Sequence, residues 1–296
     1  MRWRGYKGLM VLVCGAKGML GSDLMRALAE SGTESQGLDR EELDITDPEA
    51  IARLAAGEFG RPDWIINCAA YTAVDKAETE RQSAFELNAI APGYLANAAS
   101  ALGAKLIHIS TDFVFDGAAS EPYREDAPTH PLGIYGESKR DGEEAVLSAN
   151  PHAIIVRTSW LYGAYGNSFP RTMIRALQAG RKLRVVADQT GCPTYTGELA
   201  HFILHLMTTN AHPGIYHGVG PEAMTWHEFA LRAIQAFQRS KNLPIGAEIE
   251  PIATADWPTP AQRPKYSVLA NTKAQFPIQP VDQSLEDFVS KADLSL

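Results

Sequence analysis

The sequence has little cysteine, no long apolar run and no excess of positive charge, and each absence removes a class of protein. Cys14, Cys68 and Cys192 are odd in number and far apart. A disulfide framework needs paired cysteines, so free thiols of a reducing cytoplasm are expected instead. Cys14 and Cys68 each close an apolar run, where a thiol behaves as a small buried hydrophobe. No Cys/His spacing of a zinc site occurs. No stretch approaches the ~18 apolar residues of a membrane span. Residues 1–7 are basic, but the apolar run after them is short and broken by Gly15. That pattern argues for a loose tail rather than a secretion signal, with the folded pattern starting near Leu9. The net charge of −8 speaks against nucleic acid or an anionic membrane as partner, and still permits a local basic pocket for a phosphate.

What remains is an ordinary globular composition, 45% apolar and 21% charged over 296 residues. That is enough for one large α/β domain, or for a cofactor domain with a smaller partner. Leu9 to Cys14 is continuous, apolar and short, the pattern of a parallel strand buried on both faces. It runs into Gly15-Ala16-Lys17-Gly18-Met19-Leu20-Gly21 and then a helical stretch from Ser22 to Ser31. Strand, glycine-rich turn, helix is the setting of a dinucleotide fingerprint. The glycines allow a sharp turn and close approach to a pyrophosphate, and the helix start offers unpaired N–H groups. The spacing is Gly-x-x-Gly-x-x-Gly rather than the commoner Gly-x-Gly-x-x-Gly, and a merely tight turn is the plainer alternative. Lys17 adds a positive charge there, for a cofactor phosphate or simply for water. Asp39 follows about 18 residues after Gly21, where an acid meets the ribose hydroxyls. Arg40 beside it suits a 2′-phosphate, so NADH and NADPH both stay open. Asp44 and Ile45 lie in the next connection, with Ile45 either packing on adenine or buried in the loop.

Asp63 to Ala70 reads as the next strand, and Ala69 and Ala70 leave room for a ligand at its carboxyl end. Tyr71 to Glu78 follows, then a helix through Asn88 to Leu102. Lys105 to Ser110 is a strand whose His108 reads as a core histidine rather than a catalyst. Thr111 stands at its end. A proline-rich, acidic loop from Glu121 to Pro131 leads to Tyr135-Gly136-Glu137-Ser138-Lys139, read as the first turn of a helix. Residues four apart share a helix face, so Lys139 can sit beneath Tyr135. A free phenol titrates near ~10, and a neighbouring ammonium lowers that value. Such a pair is an acid–base device for making or consuming an alcohol. The spacing is common by chance, and its weight comes from its company. Ile154 to Thr158 reads as a sixth strand. The alternation of strand and helix predicts a parallel sheet covered on both faces.

Gly15-x-x-Gly18-x-x-Gly21, Thr111 and Tyr135-x-x-x-Lys139, in that order, resemble the extended short-chain dehydrogenase/reductases. Within them, five segments resemble the dTDP-4-dehydrorhamnose reductases: Ala70–Glu78, Ser110–Gly117, Arg157–Gly163, Asp188–Thr194 and Arg263–Leu269. Epimerase and dehydratase relatives more often carry Ser-Ser-x-x-Val-Tyr-Gly where this chain has Ser-Thr-Asp-Phe-Val-Phe-Asp-Gly. The match runs from Leu9 to about Lys273. Tyr71 departs from it, standing where a histidine is common.

The resemblance implies an α/β fold, a Rossmann-type doubly wound parallel sheet with a smaller, C-terminal α/β substrate domain. Residues 1–165 are assigned to the NAD(P)-binding domain, with 197–220 returning to it, and 166–296 mainly to the substrate domain. It implies reduction of the 4-keto group of dTDP-4-dehydro-6-deoxy-L-mannose to dTDP-L-rhamnose by NADPH or NADH. Thr111, Tyr135 and Lys139 would be catalytic. Gly15, Lys17, Gly18, Met19, Leu20, Gly21, Asp39, Arg40, Asp44, Ile45, Ala69, Ala70 and Tyr71 would hold the cofactor, with Tyr135 and Lys139. Thr72, Val74, Asp112 and Trp160 would line the sugar pocket, with Thr111 and Tyr135, and Arg263 would meet the diphosphate. For Trp160 a core anchor, and for Arg263 a surface ion pair, are the plainer alternatives. Some family members are described as homodimers held partly by Mg²⁺. Glu198 lies in the matching region, but no full acidic set can be assembled, so no metal ligand is assigned. Two rivals stand beside this reading: a nucleotide-sugar epimerase or dehydratase, and a binding subunit like the regulatory subunit of methionine adenosyltransferase.

Overall fold

Four short apolar runs and one polar edge segment become neighbouring strands: β1 (Met10–Cys14), the polar β2 (Glu34–Leu38), β3 (Trp64–Asn67), β4 (Lys105–Thr111) and β5 (Ile154–Thr158). The structure, a computed structural model, describes residues 8–246 and 248–295. The stretch read as a loose tail, residues 1–7, lies outside the described residues. A sixth strand, Gly214–His217, joins the far edge beside β5, and the order across the sheet is Gly214–His217, β5, β4, β3, β1, β2. Every pairing is parallel. Ile154–Thr158 is thus the fifth strand in the chain, not the sixth.

Both faces are covered, which is why the central strands are apolar throughout rather than alternating. On one face Val11, Val13 and Ile66 pack with Leu20, Leu24 and Leu28 of the Met19–Ser31 helix and with Leu199, Phe202 and Ile203 of the Thr196–Thr208 helix. On the other, Leu12, Ile65 and Ile155 meet Ile51, Leu54, Leu95, Ala99 and Val146. The order reverses at β1, whose neighbours are β2 and β3. A doubly wound sheet opens its ligand crevice at the carboxyl ends beside such a reversal.

Two helix boundaries differ from expectation. The first helix starts at Met19, directly on Gly18, instead of Ser22. The helix read through Asn88 contains a π turn at Glu86–Ile90 before Ala91–Leu102. Pro92 has no N–H for the Asn88 carbonyl four residues back, and the ladder widens there.

A third core, with Tyr162, Phe229 and Phe288, lies under the Phe169–Gln178, Trp226–Ser240 and Val281–Lys291 helices. Leu183–Val186 and Ile249–Ile252 pair in parallel beside it. The Trp226–Ser240 helix opens on a capping box in which Thr225 and Glu228 satisfy each other's backbone N–H groups.

Candidate active site

The glycine turn is shaped by what a side chain would strike. Gly15 has φ +74°, and a Cβ on it would stand 2.7 Å from Ala69 N; one on Gly21 would stand 2.1 Å from Gly15 O. The turn therefore presses β1 against the end of β3 and the helix against the turn. Gly18 caps the helix without a side-chain bond, so the N–H groups of its first turn are available to an anion.

A cavity of about 520 Å³ opens here, lined among others by Gly15, Gly18, Asp39, Arg40, Asp44, Ile45, Ala69, Ala70 and Tyr71. Lys17, Met19, Leu20 and Gly21 belong to the turn and helix start behind it. Asp39 accepts from Lys17 N at 2.9 Å and so braces the turn. The Lys17 ammonium is exposed and pairs with Glu41 and Glu42 at 3.2 and 3.5 Å. The mostly exposed Arg40 guanidinium meets Asp44 at 3.0 Å. Ile45 is buried. Tyr71 donates to Glu80 at 2.6 Å, and its N–H donates to Asn88 Oδ1 at 2.8 Å.

Across the crest, Thr111 ends β4 and Tyr135 lies in the first turn of the Ile134–Ala149 helix. That helix is seated by close approach. A Cβ on Gly136 would meet Phe113 O at 2.2 Å, and one on Gly142 would meet Asn88 O at 2.0 Å. The Tyr135 ring stands edge-on to Phe113, centroids 5.5 Å apart. Burial pushes the Tyr135 phenol up to about 12; the Thr111 hydroxyl bonded to it pulls down and the Asp112 charge pushes up.

The expected lowering of Tyr135 by Lys139 is not what the fold delivers. Lys139 is buried, and its ammonium turns inward to donate to Ile109 O at 2.6 Å, with His108 Nε2 at 3.4 Å. Burial lowers Lys139 itself to about 8, opposed by Glu143 and Cys68. Asp112 is buried beside Thr111, and burial raises its carboxyl to about 7.

Of the residues expected to line the sugar pocket, Thr72 is exposed and Val74 half-buried at the start of the short Val74–Ala77 helix. Asp75 follows them and receives the Arg263 fork, Nη1 at 3.0 Å and Nη2 at 2.8 Å. Arg263 also donates to Thr259 Oγ1 and Ala261 O. Its fork is thus committed to a carboxylate in this structure. Trp160 has φ +46°, uncommon for a bulky residue. Its indole lies flat on Trp226, centroids 3.6 Å apart and planes within 8°, and a Cβ on Gly191 would strike it.

The sequence profile of the RmlD substrate binding domain matches residues 9–293. The chain belongs to the dTDP-4-dehydrorhamnose reductase family. It is 41% identical to the dTDP-4-dehydrorhamnose reductase of Aggregatibacter actinomycetemcomitans, over 92% of this chain and 95% of that one. It is 43% identical to a probable dTDP-4,6-dihydroxy-2-methyloxan-3-one 4-ketoreductase of Streptomyces antibioticus, over 92% and 88%. The Bacillus anthracis dTDP-4-dehydrorhamnose reductase, solved with NADP, superposes with a TM-score of 0.88 at 37% identity, over 96% of this chain and 99% of that one. The glycine turn, its uncapped helix start and the cavity beside Asp39 fit the NAD(P)H cofactor of this family.

Several residues of the site escaped sequence reading. Trp226 carries a helix-start signal, Thr-x-x-Glu, but nothing that ties it to Trp160. Asn88 bonds Tyr71 N, Tyr71 O and the Ser138 hydroxyl, joining the cofactor side to the Tyr135 helix. Glu198 is buried and accepts from Gln279 N at 3.2 Å. Among the described residues no group of three or more His, Cys, Asp or Glu is placed to hold a metal ion.

Proposed function

We propose that this chain reduces the 4-keto group of dTDP-4-dehydro-6-deoxy-L-mannose to give dTDP-L-rhamnose. The observation that carries the reading is the pairing of two hydroxyls, Thr111 and half-buried Tyr135, at the sheet crest beside the cofactor crevice. When bound, the reduced nicotinamide supplies hydride to the carbonyl carbon. Negative charge develops on the oxygen, where Tyr135 gives its proton and Thr111 donates a hydrogen bond. A phenol raised to about 12 stays protonated at neutral pH, which suits a donor in the reducing direction. Lys139 supports the ribose side of the same site.

The cofactor residues of this reading are those named from the glycine turn to Tyr71, and the sugar pocket is Thr72, Val74, Asp112 and Trp160. Arg263 meets the diphosphate by giving up or sharing Asp75. We assign residues 1–165 with 197–220 to the cofactor domain and the rest of 166–296 mainly to the substrate domain. The return of Thr196–Thr208 against the first helix and of Gly214–His217 into the main sheet supports that division. A homodimer is part of the proposal, as is a cytoplasmic setting, which suits three free cysteines. No helix among the described residues is long and apolar enough to cross a membrane.

The test is oxidation of NADPH and of NADH with dTDP-4-dehydro-L-rhamnose, with product analysis. Stoichiometric dTDP-L-rhamnose supports the reading and ranks the cofactors. A protein that retains its nicotinamide and oxidises none points to an epimerase. The Streptomyces antibioticus relative, named for another dTDP-sugar, makes dTDP-4,6-dihydroxy-2-methyloxan-3-one the second substrate to assay. Faster turnover of that ketone would move the substrate assignment while leaving the chemistry intact.

A further inference from the structure

Beneath the crest, four polar groups stand in a row. Ala69 N–H donates to Asn67 Oδ1 at 3.1 Å. Asn67 Nδ2 lies 3.1 Å from His108 Nδ1, and His108 Nε2 lies 3.4 Å from Lys139 Nζ. The register of β3 on β4 sets Asn67 directly beside His108. Asn67, His108 and Lys139 are all buried, so each hydrogen must be accounted for within the protein.

The direction of the row follows from its first member. A backbone N–H can only donate, which fixes the Asn67 amide with its oxygen toward Ala69. Its NH₂ then faces His108, and an amide NH₂ also can only donate. His108 Nδ1 is therefore the lone-pair nitrogen, and the single proton of the neutral ring sits on Nε2. That N–H points at Lys139. A neutral amine accepts it; an ammonium has no lone pair to do so. Turning the amide and ring the other way satisfies a Lys139 ammonium but sets two N–H groups, Ala69 and Asn67, against each other.

We propose that His108 is a positioning residue of the reaction, which presents an Nε2–H to Lys139 and so weakens the hold of Lys139 on its proton. The proposal rests on the functional reading only in giving Lys139 a part in catalysis. The surroundings agree with it. Burial and the neighbouring Lys139 keep His108 well below its ordinary value, so its ring carries one proton at neutral pH. Three titratable groups face Lys139: Glu143 from its own helix, Cys68 just past the end of β3, and His108 from β4. Glu143, the nearest counter-charge, is already held by Arg157 at 2.7 and 2.9 Å and by Ser110 at 2.5 Å. The Ile109 carbonyl holds one Lys139 hydrogen whichever way the row runs.

The experiment is nitrogen-15 NMR of histidine-labelled protein, with the His108 signal assigned by its loss in His108→Gln, beside the pH profile of turnover. In the wild type the His108 proton is expected on Nε2. In Asn67→Asp a carboxylate accepts from both Ala69 N–H and the ring, so the proton moves to Nδ1 and Nε2 accepts from the Lys139 ammonium. The alkaline limb of turnover then shifts up by one pH unit or more. His108→Gln, whose amide oxygen can face the ammonium, shifts the limb the same way without adding charge. A wild-type ring protonated on Nδ1 overturns the proposal, and so does an alkaline limb that neither variant moves. Failure of the functional reading shows separately, as wild-type protein that turns over no dTDP-sugar while its ring spectrum is still read.

Discussion

Half-buried Tyr135 and buried Asp112 are neighbours, and loss of solvation does opposite work on their usefulness. It keeps the phenol protonated, as a donor must be, so Tyr135→Phe should lower turnover by about 10²–10⁴-fold. NADPH affinity, measured by fluorescence titration, should stay within about twofold, since only the hydroxyl is lost. For Asp112 burial is a cost. Its carboxyl is raised from 3.8 to about 7. A folded value above the unfolded one means the associated stability is full below about pH 4 and is lost as pH rises through 7. Asp112→Asn should therefore raise the unfolding free energy read by urea near pH 8, by on the order of a few kcal/mol, and change little near pH 4. The same variant should lose activity if Asp112 meets the sugar. Arg263 is a different case, because its fork already has a carboxylate, and the guanidinium holds Asp75 below the usual carboxylate range. Replacing Arg263 by Ala should raise the KM for the nucleotide sugar more than that for NADPH.

At the scale of elements, the site is held by contacts between segments that have no room to spare. The Ile134–Ala149 helix lies so close to the π turn that Gly142→Ala would drive a Cβ into the Asn88 carbonyl. Overpacking of this kind costs about 1–3 kcal/mol or more. The thermal midpoint should fall, and turnover with it, because the same helix carries Tyr135. The Trp160–Trp226 stack does comparable work on the far wall. It fixes a residue whose φ is unfavourable, and stacked aromatic pairs add about 0.5–1.5 kcal/mol beyond their buried area. Trp226→Ala should raise the KM for the nucleotide sugar by about tenfold. It should abolish the exciton signal of paired indoles in circular dichroism and leave NADPH binding unchanged.

Across the whole molecule, one buried ion pair joins the parts. Arg157 of β5 forks onto Glu143 of the Tyr135 helix, and Glu143 also accepts from Ser110 of β4. Arg157 further reaches the Glu125 backbone at 3.5 Å, and the Glu125 carboxylate receives Thr272 N and Oγ1 from the carboxyl-terminal third. Removing one partner of a buried pair leaves an uncompensated charge, so Glu143→Ala should destabilise the protein by about 3–5 kcal/mol in urea unfolding.

Much of the fold, and the core of the candidate site, could be read from the chain because the signals are local. The apolar runs of β1, β3, β4 and β5 specify buried parallel strands by their own composition. Gly15, Gly18 and Gly21, like Tyr135 and Lys139, are fixed by spacing within one turn of backbone. What only the tertiary structure decided depends on residues distant in sequence. Arg263 meets Asp75 across 188 positions. Trp226 reaches Trp160 only because a later helix folds over the strand ends. The direction of the Lys139 ammonium is set by Ile109 and His108 on another element, so a helix spacing alone pointed it at Tyr135. The π turn at Asn88 arises where Pro92 removes a donor and the Tyr135 helix presses in. Chain spacing determines which groups are near along an element; burial and strand register determine which atoms they face, and hence their charge.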